Sequence, residues 1–293
     1  MEPELDALVV GGGPAGLAAA LWLGRLRCRT LLADRGEPRN RWVDASFGYL
    51  GFDGQPPDAL LEAGRKDLSR YAEVQQVTTG VRMLHRDGAC FVAELDEGRV
   101  RAASVVLATG VVDAVPPLEG LREHYGRQVF VCPMCDGYEV REQRVAVLGA
   151  GGPAGAFAEE LLRWAAHVTV VPLAEEAPTD EMPRAVTLAD APGRAVHGAD
   201  GDAVVLELLD GRRVDCDAIF LRSETTGVTE LGAHLGCDLD DDGLFVVDGD
   251  GRTSVTGVYA AGDCTPGPQL VQLAAAEGAR AGLQCAQEVA ARR

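Results

Sequence analysis

The stretch Val131-Cys132-Pro133-Met134-Cys135-Asp136-Gly137-Tyr138-Glu139 places two cysteines three positions apart, with a proline between them and an acid directly after. Residues of these types at this spacing suit the making and breaking of a disulfide. A zinc site would need further ligands, and the sequence has neither a second Cys-x-x-Cys nor a nearby pair of histidines. A purely structural cysteine pair is the bland alternative. The other six cysteines, Cys28, Cys90, Cys216, Cys237, Cys264 and Cys285, are scattered and read as buried, inert thiols.

The elements flanking this stretch read as nucleotide-binding units. The apolar run Leu5 to Val10 leads into Gly11-Gly12-Gly13-Pro14-Ala15-Gly16, and Leu17 to Leu26 then reads as a helix. Gly11 allows the tight turn. Gly13 lets the backbone approach a pyrophosphate, and Gly16 lets helix and strand pack closely. Pro14 suits the first helical turn, where free N–H groups attract an anion. A second strand, Arg29 to Ala33, ends at Asp34, placed to bind the ribose hydroxyls of an adenine nucleotide. Strand, glycine turn, helix, strand and acid together predict a dinucleotide site. Residues 36–55, including Pro38-Arg39-Asn40-Arg41, read as a functional loop over the cofactor. A helix over Pro57 to Tyr71, short strands over Val74 to Leu95 and a buried strand over Val105 to Gly110 follow. That last strand ends in Ala108-Thr109-Gly110.

Beyond the cysteine pair, a strand over Arg144 to Leu148 meets Gly149-Ala150-Gly151-Gly152-Pro153-Ala154-Gly155. A helix over Ala156 to Ala165 and a strand over His167 to Val171 repeat the first unit, and so predict a second Rossmann-like domain. NADPH selectivity calls for arginines after that second strand, and NADH selectivity for an acid at its end. The sequence there is Pro172-Leu173-Ala174-Glu175-Glu176-Ala177-Pro178, with no basic residue before Arg184, so the second site reads as degenerate. Residues 185–222 give short strands and 227–239 a connector. The chain returns with Leu244-Phe245-Val246-Val247 and with Val258-Tyr259-Ala260-Ala261-Gly262-Asp263, an apolar strand ending in a flavin-type Gly-Asp turn. A helix from about Leu270 to Ala291 follows, and its N-terminal dipole can stabilise a reduced isoalloxazine. Gln272 and Leu273 are the candidates for facing that ring.

A chain of 293 residues with 47% hydrophobic and 25% charged residues is long enough for two ordinary soluble domains. With a net charge of −18 and Lys66 as its only lysine, it lacks the basic face that nucleic acid binding requires. The sequence contains no membrane span. Its acidic start, running at once into a strand, reads as cytoplasmic rather than secretory.

Taken in order, Gly11 to Gly16, Ala108 to Gly110, Cys132-Pro133-Met134-Cys135-Asp136-Gly137, the second glycine turn and Gly257 to Asp263 resemble the low-molecular-weight thioredoxin reductase family over nearly the whole chain. The resemblance implies an α/β fold with two three-layer Rossmann-like domains, the second inserted into the first. An FAD-binding domain (1–114 and 242–293) would be split around a pyridine-nucleotide-type domain (115–241) that carries the cysteine pair. It implies a homodimer that binds FAD through Gly11, Gly13, Pro14, Ala15, Gly16, Asp34, Arg39, Asn40, Ala108, Thr109, Gly110, Gly262, Asp263, Gln272 and Leu273. It also implies Cys135 as the flavin-proximal thiol, Cys132 as the thiol that meets the substrate, and Asp136 as general acid/base. The spacing suits those roles. Cysteines at i and i+3 on a helical turn can be bridged, and Cys132 at the N-cap with Pro133 first in the helix gains the dipole's stabilisation of a thiolate.

Two departures qualify the resemblance. The His-Arg-Arg stretch of NADPH-using members is replaced by Pro172 to Pro178. Gly137-Tyr138-Glu139 and Pro38-Arg39-Asn40 are more similar to the dithiol oxidases of holomycin and gliotoxin biosynthesis, which hand electrons to oxygen. Those usually carry His where this chain has Asp136. Ferredoxin-linked and diflavin reductases of the same fold also lack an NADPH site. The sequence thus implies exchange of electrons between flavin, Cys132–Cys135 and a thioredoxin-like protein or small dithiol. NADPH, NADH, ferredoxin and another flavoprotein stand as alternative donors. A non-catalytic, FAD-binding redox sensor is the remaining reading.

Overall fold

The structure is a computed structural model and describes residues 4–149, 151–173, 182–199, 201, 203–222 and 225–292. The first stretch of the chain supplies β1 (Leu5–Val10), α1 (Pro14–Arg25), β2 (Thr30–Asp34), α2 (Pro57–Leu68), β3 (Val74–Thr78), β4 (Val81–Asp87), β5 (Cys90–Leu95), β6 (Arg99–Leu107) and β7 (Val111–Asp113). The middle supplies β8 (Val129–Phe130), α3 (Pro133–Asp136), β9 (Arg144–Leu148), α4 (Gly151–Leu161), β10 (His167–Val171), β11 (Thr187–Leu188), β12 (Gly193–Gly198), β13 (Val204–Leu208), β14 (Arg213–Cys216) and β15 (Ala218–Leu221). The return supplies β16 (Thr225–Gly227), α5 (Glu230–Leu235), β17 (Val258–Ala260) and α6 (Val271–Arg292). Two compact units result. One holds residues 1–41, 48–112 and 226–293, and the other 42–47 and 113–225.

In the first unit β3, β2, β1 and β6 lie side by side and parallel, with β17 parallel along the far edge of β6. The early part of β6 pairs antiparallel with β5, and β5 with β4. Alternation along β1 sends Ala7 and Val9 to one face and Leu8 and Val10 to the other, and all four are buried. The first face packs against α1, α2 and α6 through Ala19, Leu23, Leu61, Ala281 and Cys285. The second packs against Leu84, Phe91, Phe245 and Leu235. A sheet buried on both sides reads as continuous apolar runs, which is why β1 and β6 were visible in the sequence.

The contact between α1 and α6 is a close approach of backbones. A Cβ built on Gly278 would lie 1.9 Å from the carbonyl oxygen of Ala15, and one on Gly282 would lie 2.5 Å from that of Ala19. Small residues one turn apart on α6 thus let it lie directly on α1.

The second unit repeats the plan. Its parallel sheet runs β11, β10, β9, β15, β8, with β12, β13 and β14 as a separate antiparallel sheet. Phe220 on β15 anchors one face, with ring centroids 5.6 Å from Phe130 and 6.4 Å from Phe157. Both units therefore have the expected α/β, parallel-sheet, Rossmann-like architecture.

Some sequence expectations shift. The α4 helix begins at Gly151 rather than Ala156, inside the glycine turn. The β6 strand begins at Arg99, six residues before the apolar run, because its half-exposed start pairs with β5. Leu244 to Val247 makes a single bridge, Leu239 to Phe245, and Phe245 and Val247 plug the second face of the sheet. No helix of the described residues is long and apolar enough to cross a membrane. All six scattered cysteines are buried.

Candidate active site

The first glycine turn leaves β1 and enters α1. Gly11 adopts φ 100°, and a Cβ there would lie 2.2 Å from the Ala108 carbonyl oxygen, so the residue is bound to be glycine on both counts. A Cβ on Gly16 would lie 1.8 Å from the Gly11 carbonyl oxygen, which sets α1 close behind the turn. Gly13 is different. It is the N-cap of α1, and a Cβ built on it meets nothing within 4 Å, so it faces the open space that the helix N–H groups address. Pro14 is the first residue of α1, as expected. Asp34 is the last residue of β2. Its carboxyl group packs on Gly12, and Arg65 approaches it at 3.7 Å. A cradle open at Gly13, closed at Gly11 and Gly16, and bordered by Asp34 fits a dinucleotide.

The Gly-Asp turn comes to the same place. A Cβ on Gly262 would lie 2.8 Å from the Ala15 side chain. Arg39, from the long loop, donates from Nη1 to Asp263 at 2.9 Å and to Gln269 at 2.7 Å. Asn40 follows it, half-buried. Gln272 accepts from the Leu50 N–H at 3.3 Å through its side-chain oxygen, and Leu273 is exposed on the first turn of α6. Thr109 donates its hydroxyl to the Val228 carbonyl at 2.5 Å, and Gly110 follows it on the way into β7.

Two residues here escaped the sequence reading. Glu277 on α6 accepts the Gly262 N–H at 2.9 Å and the Thr265 hydroxyl at 3.3 Å, and so holds the Gly-Asp turn in shape. Burial raises its carboxyl above the usual range. Gln269 braces Arg39. Neither lies in a motif. Both act across folds of the chain, and only the tertiary contact identifies them.

The redox-type pair lies in the second unit. Cys132 and Cys135 are joined as a disulfide with Cα atoms 5.2 Å apart. Cys132 is the N-cap of the one-turn helix α3, Pro133 is its first residue, and the Cys132 sulfur accepts the Cys135 N–H at 3.1 Å. Asp136 is the last residue of α3. Burial, and then the charge of Glu139, push its carboxyl up from 3.8 to about 7. Gly137 fixes the turn beyond it. Its N–H donates to the Pro133 carbonyl at 2.8 Å, and a Cβ there would lie 2.4 Å from that oxygen and 2.7 Å from the Trp164 ring. Trp164, just past α4, is another residue the motif did not reveal. A disulfide beside an acid that is about half protonated at neutral pH can take up a thiol and return a proton in one place.

The second glycine turn leaves β9 with the Gly149 N–H donated to Val171 at 3.2 Å. Arg222, just past β15, brings its Cβ within 3.2 Å of where a Gly149 side chain would start. At the end of β10, the Pro172 carbonyl accepts the Gly193 N–H at 2.9 Å. Ala150 and residues 174–178, including Glu175, Glu176 and Pro178, lie outside the described residues. Among the described residues no cluster of His, Cys, Asp and Glu could hold a metal ion.

Two Rossmann-like units, one with an open dinucleotide cradle and the other with a bridged cysteine pair beside a carboxyl group, define a nucleotide-dependent disulfide oxidoreductase. Residues 5–278 match the pyridine nucleotide-disulphide oxidoreductase family, and the chain belongs to it. The chain is similar to the probable thioredoxin reductase of Arthroderma benhamiae, 36% identical over 155 residues, which is 50% of this chain and 38% of that one. It is also similar to thioredoxin reductase aclD of Aspergillus oryzae, 29% identical over 98% of this chain and 97% of that one. Among solved structures it is similar to HlmI, 33% identical with a TM-score of 0.91, over 98% of this chain and 95% of that one. The resemblance read from the motifs holds, and the chain is a thioredoxin reductase-like oxidoreductase. Membership implies FAD.

Proposed function

We propose that this protein exchanges electrons between FAD, the Cys132–Cys135 disulfide and an external dithiol or disulfide, either a small molecule or a thioredoxin-like protein. The observation that carries the reading is the bridged pair at the head of α3, with the Asp136 carboxyl beside Cys135 poised to titrate near neutrality. The first unit is the FAD-binding domain in this reading. Gly11 and Gly16 shape the pyrophosphate turn and Gly13 leaves it open. Asp34 accepts from ribose hydroxyls, and the Arg39–Asp263 pair orders the far side. FAD supplies a two-electron carrier.

The chain's own residues handle the sulfur chemistry. An external thiolate attacks the Cys132 sulfur, the Cys132–Cys135 bond breaks, and Cys135 leaves with the electron pair and takes the proton of Asp136. The second thiol of the substrate then attacks the mixed disulfide. It releases the oxidised substrate and leaves Cys132 reduced. Run backwards, the same steps reduce an external disulfide. NADPH and NADH do not feed this pair in the proposed reading, because β10 ends at Val171 and Pro172 follows, where an acid or arginine would select the nucleotide.

Anaerobic mixing of the FAD-loaded protein with dithiothreitol, NADPH or NADH, followed at the flavin absorbance, tests this. A dithiol is expected to bleach the flavin, and a Cys135→Ser variant to abolish the bleaching. Rapid bleaching by NADPH would remove the nucleotide part of the proposal, and indifference of the flavin to dithiols would remove the whole. Fast reoxidation in air after bleaching marks the oxidase direction, whereas a stable reduced state marks a reductase served by ferredoxin or another flavoprotein.

A further inference from the structure

Glu139 stands three residues past Asp136, and the chain between them is a closed turn. The Glu139 N–H donates to the Asp136 carbonyl at 3.2 Å, which returns the two residues to each other's side. That turn cannot drift. Gly137 is wedged between the Pro133 carbonyl and the Trp164 ring, and Val140 beyond is buried. One carboxyl oxygen of Glu139 is itself buried. Among the described residues, Arg141, Glu142 and Arg163 also border the turn. Arg141 stacks over the Tyr138 ring at 4.6 Å and donates to the Tyr138 carbonyl at 3.1 Å, while Arg163 lies over the Trp164 ring at 5.5 Å. Glu142 is exposed, with its N–H given to the Trp164 carbonyl at 2.9 Å. The side-chain charge that raises Asp136 is that of Glu139.

We propose that Glu139 is a positioning residue for the disulfide exchange: its carboxylate, set across the closed turn, keeps the proton on Asp136 until Cys135 takes it. The inference rests on the thiol-exchange reading above. The proton balance is simple. A thiol of the substrate loses its proton to solvent and attacks Cys132 as thiolate. Cys135 leaves and is protonated by Asp136, and Asp136 then regains a proton from solvent. With a carboxylate three residues away, the ionised form of Asp136 is disfavoured twice, by burial and by like charge, so the group meets the leaving sulfur as an acid.

The test compares the parent with Glu139→Gln, which keeps the shape and removes the charge. The rate of Cys132–Cys135 reduction by dithiothreitol is measured from pH 5 to 8 by quenching and thiol alkylation. Removing the like charge is expected to lower the Asp136 midpoint by about one pH unit. The two proteins then react equally near pH 5, while at pH 7 the variant is about 5-fold slower, the ratio of protonated fractions for such a shift. A constant ratio at every pH, or identical profiles, would overturn the proposal, since a merely structural role slows exchange at all pH values alike. The infrared carbonyl band of protonated Asp136, assigned by its loss in Asp136→Asn, is titrated in parallel and needs no exchange chemistry. A parent midpoint near the ordinary carboxyl value, or one unmoved in Glu139→Gln, refutes the role of Glu139. Failure of dithiothreitol to reduce the pair at any pH, with the band behaving as expected, refutes the exchange reading and leaves the coupling of the two carboxyl groups standing.

Discussion

Asp136 makes the folded protein sensitive to pH in a direction opposite to most carboxylates. In the unfolded chain it ionises near 3.8, and in the folded chain at about 7. The folded state therefore holds the proton more tightly. Stability carried by that proton is complete below pH 4, declines as pH rises and is gone above pH 7. The difference between the two values corresponds to about 4 kcal/mol at 1.36 kcal/mol per pH unit. Asp136→Asn removes the titration while keeping the size of the side chain. Relative to the parent, the variant is expected to gain nothing between pH 3.5 and 4 and to gain progressively to about 2–4 kcal/mol above pH 7. Urea unfolding of both proteins, with the disulfide intact and at several pH values, measures the difference. A stability difference that stays flat with pH, or that favours the parent increasingly as pH rises, would refute the assignment of a raised, burial-driven acid at this position.

Two further substitutions probe the contacts that hold the sites. Gly137→Ala drives a methyl group into the Pro133 carbonyl and the Trp164 ring, and is expected to cost about 1–3 kcal/mol in urea unfolding and to quench or shift the Trp164 fluorescence contribution. Gly278→Val forces α6 off α1 at Ala15, and is expected to cost about 3 kcal/mol or more and to lower FAD retention on gel filtration. An unchanged unfolding midpoint would show that the helices can separate without consequence.

Much of the fold could be read in advance because both parallel sheets are covered on both faces. Leu5 to Val10, Arg144 to Leu148 and His167 to Val171 are mostly apolar runs, and the structure ends each of them at the residues expected. The glycine turn was legible because Gly11 and Gly16 are dictated by local contacts, such as Gly16 on Gly11, while Gly13 is left open. Elements whose composition contradicts their state were harder. The first turn of α4 is Gly-Gly-Pro, so the sequence pattern places its start too late, at Ala156. The supports of the site were not legible at all. Arg39 and Asp263 are 224 residues apart in sequence, Glu277 sits in an ordinary amphipathic helix, and Trp164 touches Gly137 from another element. No pattern in a single sequence pairs such residues. Glu139 was in view beside the cysteines, and what gave it meaning was the closed turn.

The seating of α6 on α1 has a consequence for biosynthesis. Gly278 and Gly282, which lie on Ala15 and Ala19, are made about 260 residues after the cradle at residues 11–16. At about 5–20 residues per second, the nascent first helix waits for roughly 13 to 50 seconds with that face uncovered. Nearly all of the second unit emerges complete in the interval, and its sheet draws on residues of that stretch alone. The order of synthesis therefore lets the cysteine-bearing unit form its sheet before α6 is available to cover the exposed face of α1.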